Sequence, residues 1–231
     1  MLEVYALNIA HPIPAAYKEL FLSQVSEEKR DKIVRYRKEM DGQRTLVGEI
    51  LVKVMLAKHL KLSAKEIVFK KNEYGKPYLE GNPLYFNISH SGEWVVGAIS
   101  DYLVGIDVEQ IKKADLGIAK RFFAPLEYDA LMQIACEKAQ NEAFYMLWSG
   151  KESYIKMIGK GLTIPLEAFS LAYNQHKIEL IDAYKEKKAY FTVYPLQQDR
   201  YSLVVCHEEK VCHSAYCQVQ IETLYNMLQE E

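Results

Sequence analysis

The spacing of apolar and polar residues changes several times along this chain, and each change predicts an element. Residues 2–9 alternate loosely and stop near Pro12 and Pro14, the pattern of a strand running into a turn. Ser26-Glu27-Glu28-Lys29 reads as a helix start, with a serine cap and acids in the first turn. Over 40–60 the period becomes helical, with Leu46, Ile50, Val54 and Ala57 on one stripe. Ser63-Ala64-Lys65-Glu66 caps a short piece, residues 67–69 read as a strand, and Asn72-Glu73-Tyr74-Gly75-Lys76-Pro77 reads as a turn. Three strands follow at 85–90, 94–100 and 103–108, joined by Ser91-Gly92-Glu93 and Asp101-Tyr102, which predicts an antiparallel meander. Residues 122–136, after a break at Pro125, and 141–158 read as helices. Further strands are expected at 169–173, 177–181, 189–194, 201–206 and 215–221.

The order helix, helix, strands thus occurs twice. An offset of 102 pairs Gly48 with Gly150, Met55 with Met157, Leu56 with Ile158, Lys58 with Lys160 and Leu60 with Leu162. This suggests two similar halves meeting near residue 105; a chance run of matches is the alternative. With 231 residues, 49% of them hydrophobic, the chain can bury a sizeable core as one large domain or two small ones. A net charge of -2 supplies no strong basic field, so nucleic acid is not an expected partner. Met1-Leu2-Glu3-Val4-Tyr5-Ala6 lacks the basic region and apolar stretch of a signal peptide. The apolar runs fall far below the roughly 20 residues that span a bilayer. A soluble cytoplasmic protein without a membrane partner is therefore expected. The cysteines are Cys136, Cys206, Cys212 and Cys217, with no C-x-x-C pair. The last three lie near His207 and His213, which raises a zinc site. The plainer reading makes them small, reduced, buried residues of strands.

Two segments, 105–109 and 148–156, carry the candidate chemistry. Asp107 and Glu109 are two apart on an expected strand, so both carboxylates face one way and repel unless a cation lies between them. Two surface acids on a solvated strand end are the alternative. Trp148, Lys151, Glu152 and Lys156 share helical spacing and read as one face; an exposed salt-bridge stripe would explain the charges but not the tryptophan. Three hard oxygen donors suit a divalent cation such as magnesium, and lysines beside it suit a phosphate-rich ligand. Ser149-Gly150-Lys151 looks like the tail of a phosphate-binding loop, but Glu152 follows where Ser or Thr belongs and Tyr145 replaces the first glycine. Ser89-His90-Ser91 with Asp107 suggests a hydrolase triad, yet adjacent strand residues point to opposite faces and no G-x-S-x-G elbow exists. A phosphate contact or a structural histidine remains. Lys29, Lys32, Arg44 and Lys76 become a site only if they converge on a polyphosphate; as surface cations they need no explanation.

Taken together, the motifs resemble one family. Arg44-Thr45-Leu46-Val47-Gly48-Glu49, Glu73-Tyr74-Gly75-Lys76-Pro77, Phe86-Asn87-Ile88-Ser89-His90-Ser91-Gly92, Val104-Gly105-Ile106-Asp107-Val108-Glu109, Arg121-Phe122-Phe123 with Glu127, and Leu147-Trp148-Ser149 through Lys151-Glu152-Ser153 to Lys156-Gly159-Lys160-Gly161-Leu162 run in family order across roughly residues 1–206. They resemble the 4'-phosphopantetheinyl transferases of the surfactin-synthetase-activating (Sfp) type. The resemblance implies a magnesium-dependent enzyme. It would move the 4'-phosphopantetheine arm of coenzyme A onto a serine of an apo peptidyl or acyl carrier protein, by attack of that serine on the β-phosphate with loss of adenosine 3',5'-bisphosphate.

The implied fold is a monomeric α+β protein of two similar subdomains, 1–104 and 105–231, related by a pseudo-two-fold axis with coenzyme A in the cleft between them. Carried over by position, Asp107, Glu109 and Glu152 look like the magnesium ligands, and Glu152 also looks like the acceptor of the serine proton. Lys151 and Lys156 would meet the diphosphate and pantetheine; Lys29, Lys32, Arg44 and His90 resemble the group around the 3'-phosphate. Tyr74, Gly75 and Lys76 look like the adenine-contacting turn, Ser89 like a phosphate contact, Trp148 like packing beneath the site and Glu127 like an acid behind it. The carrier would dock near residues 161–165, beside Lys160. A coenzyme A binder that has lost turnover and a magnesium-dependent phosphohydrolase are the alternatives. From Glu208 onward the resemblance is poor.

Overall fold

The computed structural model describes residues 1–81, 84–174, 177–184, 187–198, 200–210 and 215–230. In the first half, β1 (Leu2–Asn8) leads to helices α1 (Ala15–Ser23), α2 (Glu27–Val34) and α3 (Glu39–Leu60). A small hairpin of β2 (Phe69–Lys71) and β3 (Pro77–Leu79) precedes β4 (Tyr85–Ser91) and β5 (Trp94–Ser100). The second half contains β6 (Val104–Gln110), α4 (Leu116–Phe122), α5 (Pro125–Met132) and α6 (Glu137–Ile158). Strands β7 (Ser170–Asn174), β8 (Lys177–Asp182), β9 (Tyr190–Leu196) and β10 (Tyr201–His207) follow, then β11 (Cys217–Val219) and α7 (Ile221–Gln229).

Local chemistry accounts for the helix ends. Ser26 caps α2, its hydroxyl accepting from Lys29 N at 3.2 Å. Helix α6 stops at Gly159, whose φ of 81° lets it adopt the left-handed turn that closes on Ile155 O. Each half lays one helix of 22 residues across a sheet. Helix α3 covers the sheet of order β11-β1-β5-β4, and α6 covers the sheet β6-β10-β9. Leu46, Ile50 and Leu51 pack onto Val95 and Ile99 in the first core. Phe144, Leu147 and Tyr154 share the second core with Val204 and Cys206. The opposite faces of the two sheets meet in a third cluster, with Val4, Trp94 and Val96 against Ile106, Val108 and Leu203. The molecule is therefore layered helix, sheet, sheet, helix, an α+β arrangement.

Two expectations are corrected. The three central strands are no meander. Strand β5 already has β1 on one edge and β4 on the other, so β6 crosses to the second sheet and pairs antiparallel with β10. Nor does the tail stay with residues 105–231. Strand β11 pairs parallel with β1, and α7 buries Leu224 and Leu228 in the first core. Tyr225 stacks on Tyr17 of α1 with ring centroids 4.1 Å apart. Apolar Ile221, Leu224, Tyr225 and Leu228 form an i, i+3, i+4, i+7 stripe, which explains why a helix starts where a longer strand was expected.

The seam between β6 and α6 is unusually close at Gly105. A Cβ there would collide with the backbone carbonyl of Ser153 and the backbone nitrogen of Met157. Backbone atoms cannot swing aside as a side chain can. Gly105→Ala is thus expected to lower stability by about 1–3 kcal/mol, the usual cost of overpacking. In urea unfolding the midpoint should fall; an unchanged midpoint would show that the seam opens freely.

Candidate active site

Gly105, Asp107 and Glu109 alternate along β6 and share the face toward α6. Glu152 and Lys156, one turn apart on α6, answer from the other side. Lys156 Nζ lies 2.6 Å from Asp107 Oδ1, 3.0 Å from Ser89 Oγ and 3.3 Å from Ile106 O. Asp107 is only 3% exposed, and its Oδ2 is buried without a hydrogen-bond partner. Burial, and then the neighbouring Asp107 charge, raise the pKa of both Glu109 and Glu152, against the pull of Lys156. One ammonium thus serves three crowded carboxylates. The chemistry of an orphaned carboxylate oxygen beside two acids held above their ordinary range suits a divalent cation. Among the described residues no three His, Cys, Asp or Glu side chains stand close enough to hold a metal ion by themselves.

These groups line a cleft of about 510 Å³ that the first half completes. Its wall there carries Lys29, Arg44, Thr45, Glu49 and His90, and Trp148 closes the α6 side. Lys29 pairs with Glu49 at 2.9 Å. The Arg44 guanidinium is fixed by Gly92 O, at 2.8 and 2.6 Å, and by Asp41 Oδ1 at 2.6 Å. His90 is exposed by area yet crowded by the cleft; desolvation, with Arg44 and Lys156 nearby, holds its pKa below the ordinary value. Lys29 also borders an adjoining cleft of about 520 Å³, where Lys32 and Gly75 lie beside Val68, Phe69, Pro77 and Ile88. Gly75 has φ +86°, a conformation its turn requires of glycine. Tyr74 is exposed.

Two residues, Lys151 and Lys76, are placed otherwise than the sequence suggested. Lys151 is fully buried, paired with Glu127 at 2.8 Å and donating to Leu166 O and Phe169 O at 2.8 and 2.9 Å. At 3.6 residues per turn it points about 140° away from Lys156, so the supposed common face does not include it. Its partner Glu127, expected behind the site, accepts from the backbone of Ala124 and Leu171 and holds α5 against β7. Lys76 turns inward, donating to Val104 O at 3.3 Å and Met157 O at 3.1 Å, with its pKa pushed down to about 8 by burial. Of its turn, Gly75 lines the adjoining cleft. Ser89 is half corrected: its hydroxyl is engaged by Asp107 and Lys156.

Sequence reading passed over Asn72, Ser91 and Asn87. Asn72 donates to Gly159 O at 2.8 Å and accepts from Tyr74 N and Lys76 N, so it shapes the turn and ties it to α6. Its place at the head of N-x-x-G was the available signal. Of the supposed zinc group, Cys212 and His213 lie outside the described residues. Cys206 is buried as expected, but Cys217 is exposed, against expectation. Among the described residues no helix is long and apolar enough to cross a membrane.

Known proteins share this arrangement of motifs. The chain matches the model of the 4'-phosphopantetheinyl transferase superfamily over residues 103–206 and that of the 4'-phosphopantetheinyl transferase N-terminal region over residues 11–101. It is 37% identical over 232 residues to a Bacillus subtilis 4'-phosphopantetheinyl transferase, covering 98% of this chain and 100% of that protein. It is 39% identical over 209 residues to 4'-phosphopantetheinyl transferase Sfp of Bacillus subtilis strain 168, covering 89% of this chain and 92% of that one. The crystal structure of Thermotoga maritima holo-[acyl-carrier-protein] synthase overlaps 47% of this chain and 63% of its own at TM-score 0.39 and 20% identity, too distant to add to the argument. On the sequence matches, which cover both halves, this chain belongs to the 4'-phosphopantetheinyl transferase family, on its Sfp-like branch.

Proposed function

We propose that the protein transfers the 4'-phosphopantetheine arm of coenzyme A to a serine of an apo peptidyl or acyl carrier protein, with magnesium as its metal. Family membership supports the reaction. The observation that carries the metal reading is the buried, partnerless Oδ2 of Asp107 amid acids above their ordinary pKa. Asp107, Glu109 and Glu152 would hold the ion. A bound magnesium would supply positive charge to offset what develops when the bridging P–O bond of the diphosphate breaks and adenosine 3',5'-bisphosphate leaves.

The protein's own groups do the rest. Lys156, already beside Asp107, puts a positive charge at the diphosphate end of the cleft. Glu152, made more basic by burial and Asp107, is the candidate to take the carrier serine's proton, directly or through water. Lys29 and Arg44 form a cationic wall suited to the 3'-phosphate, with His90 beside them as a hydrogen-bonding group and Lys32 at the far end. The apolar sides of the adjoining cleft at Val68, Phe69, Pro77 and Ile88 suit a purine base. Leu162, 78% exposed beside Lys160, is a fitting contact for an apolar, acidic carrier helix. We further place the enzyme in the cytoplasm as a monomer, without membrane or nucleic acid partners.

Incubation with coenzyme A, magnesium and a panel of apo carriers should add one phosphopantetheine mass to at least one carrier. No gain across the panel overturns the proposal. Release of adenosine 3',5'-bisphosphate without carrier would indicate a phosphohydrolase, and tight coenzyme A binding without transfer a non-catalytic relative.

The raised carboxyls also predict a pH dependence. Glu109 and Glu152 keep protons in the folded state above the ordinary value of 4.5. The stability they contribute is full below that value and is lost as pH rises through the raised one. A divalent ion replaces those protons. Its stabilisation in thermal melts should therefore grow as pH rises above the ordinary carboxylate value of 4.5 and through the raised one. A magnesium shift independent of pH would separate the ion from these two acids.

A further inference from the structure

Strand β6 lies at the edge of its sheet, with β10 on one side. Its outward N–H groups are nonetheless partnered, and by side chains. Ile106 N donates to Asn87 Oδ1 at 2.9 Å, Val108 N to Ser89 Oγ at 3.4 Å and Gln110 N to Ser91 Oγ at 3.1 Å. Asn87, Ser89 and Ser91 are spaced by two along β4, so all three point the same way. They take the place of a neighbouring strand and join the two halves.

A serine hydroxyl that accepts from a backbone N–H still has its own proton to give. Ser89 gives it to Asp107 Oδ1 at 2.9 Å, and Ser91 gives it to Glu109 Oε2 at 2.8 Å. Both serine rungs therefore end on a carboxylate of the cleft. Asp107 has a second anchor in Lys156. For Glu109, Ser91 is the hydrogen-bond donor the structure provides.

We propose that Ser91 is a positioning residue for Glu109: held by the Gln110 N–H, its hydroxyl occupies one carboxylate oxygen and leaves the other for a divalent cation. This rests on the reading of Glu109 as a cation ligand. A strand of the first half thereby aims a ligand carried by the second, so cation affinity depends on how the halves are seated. Hydrogen-bond partners behind a metal ligand commonly contribute about 10- to 100-fold in affinity.

The test titrates Mn2+ into the whole protein with saturating coenzyme A and no carrier, reading free ion by electron paramagnetic resonance. Ser91→Ala should weaken Mn2+ binding about 10- to 100-fold. Coenzyme A affinity measured in EDTA should stay at the wild-type value, and Ser91→Thr, which keeps the hydroxyl, should restore the ion. Equal Mn2+ affinity in wild type and Ser91→Ala overturns the inference while leaving the proposed function standing. Equal weakening in Ser91→Thr and Ser91→Ala also overturns it, because the hydroxyl would then be irrelevant. No Mn2+ binding by the wild type instead removes the cation reading beneath it.

Discussion

Asp107→Asn is expected to lower carrier modification by about 10²- to 10³-fold, the range seen when one preorganised electrostatic group is lost at a reacting centre. The side chain is almost the same size, and its oxygen can still accept from Ser89 and Lys156, which now hold Oδ1 at 2.9 and 2.6 Å. The fold should therefore survive. What disappears is the negative charge on the orphaned Oδ2 and the partner that offsets Lys156. Asp107→Ala removes the shape as well and should be at least as inactive, with some loss of stability because Lys156 and Ser89 lose their shared acceptor. Transfer rates by carrier mass, paired with thermal melts, separate these effects. Near wild-type turnover in Asp107→Asn would take the residue out of the reaction.

The largest effect on stability is expected at Lys151→Met. Lys151 and Glu127 are both fully buried and form an ion pair at 2.8 Å. Removing one partner leaves the other charged, dry and uncompensated, which typically costs about 3–5 kcal/mol. A domain has only about 5–15 kcal/mol to lose, so the variant should unfold at much lower urea. The ammonium also ties down Leu166 O and Phe169 O and sits 4.3 Å over the Phe169 ring. The double variant Lys151→Met with Glu127→Gln should recover part of the loss, because no isolated charge remains. A different result would follow if Lys151 reached the ligand. The single variant would then be stable, with a raised KM for coenzyme A, and that outcome would return the residue to the cleft.

Lys151 also shows where a linear pattern stops being sufficient. Spacing correctly put Asp107 with Glu109 and Glu152 with Lys156, because strand and helix periods are local properties of the backbone. The same spacing put Lys151 with Lys156, yet a helix face spans only part of a turn, and the partner that draws Lys151 inward lies 24 residues away at Glu127. Helix α2 was legible from Ser26 because its cap lies within four residues. The partner of β6 was not, since β10 lies some ninety residues on and β5 had no edge to offer. Lys76 looked like a surface cation of a turn; only the packed seam shows that Met157 O of α6 and Val104 O of β6 claim it. The motifs as a set were more informative than any single residue, because together they point to one family, whose models match both halves of the chain.

The returning tail bears on the order in which the molecule is made. A ribosome delivers β1 first and β11 last, yet the two lie side by side in one sheet. The first half therefore cannot complete its edge or cover the apolar surface under α7 until residues 217–229 have emerged. The second half, from β6 to β10, has all its strands by then. Released chains truncated after residue 207 should hold a finished second half and an unfinished first one. The surface waiting for Leu224 and Leu228 is where a chaperone would bind such a chain.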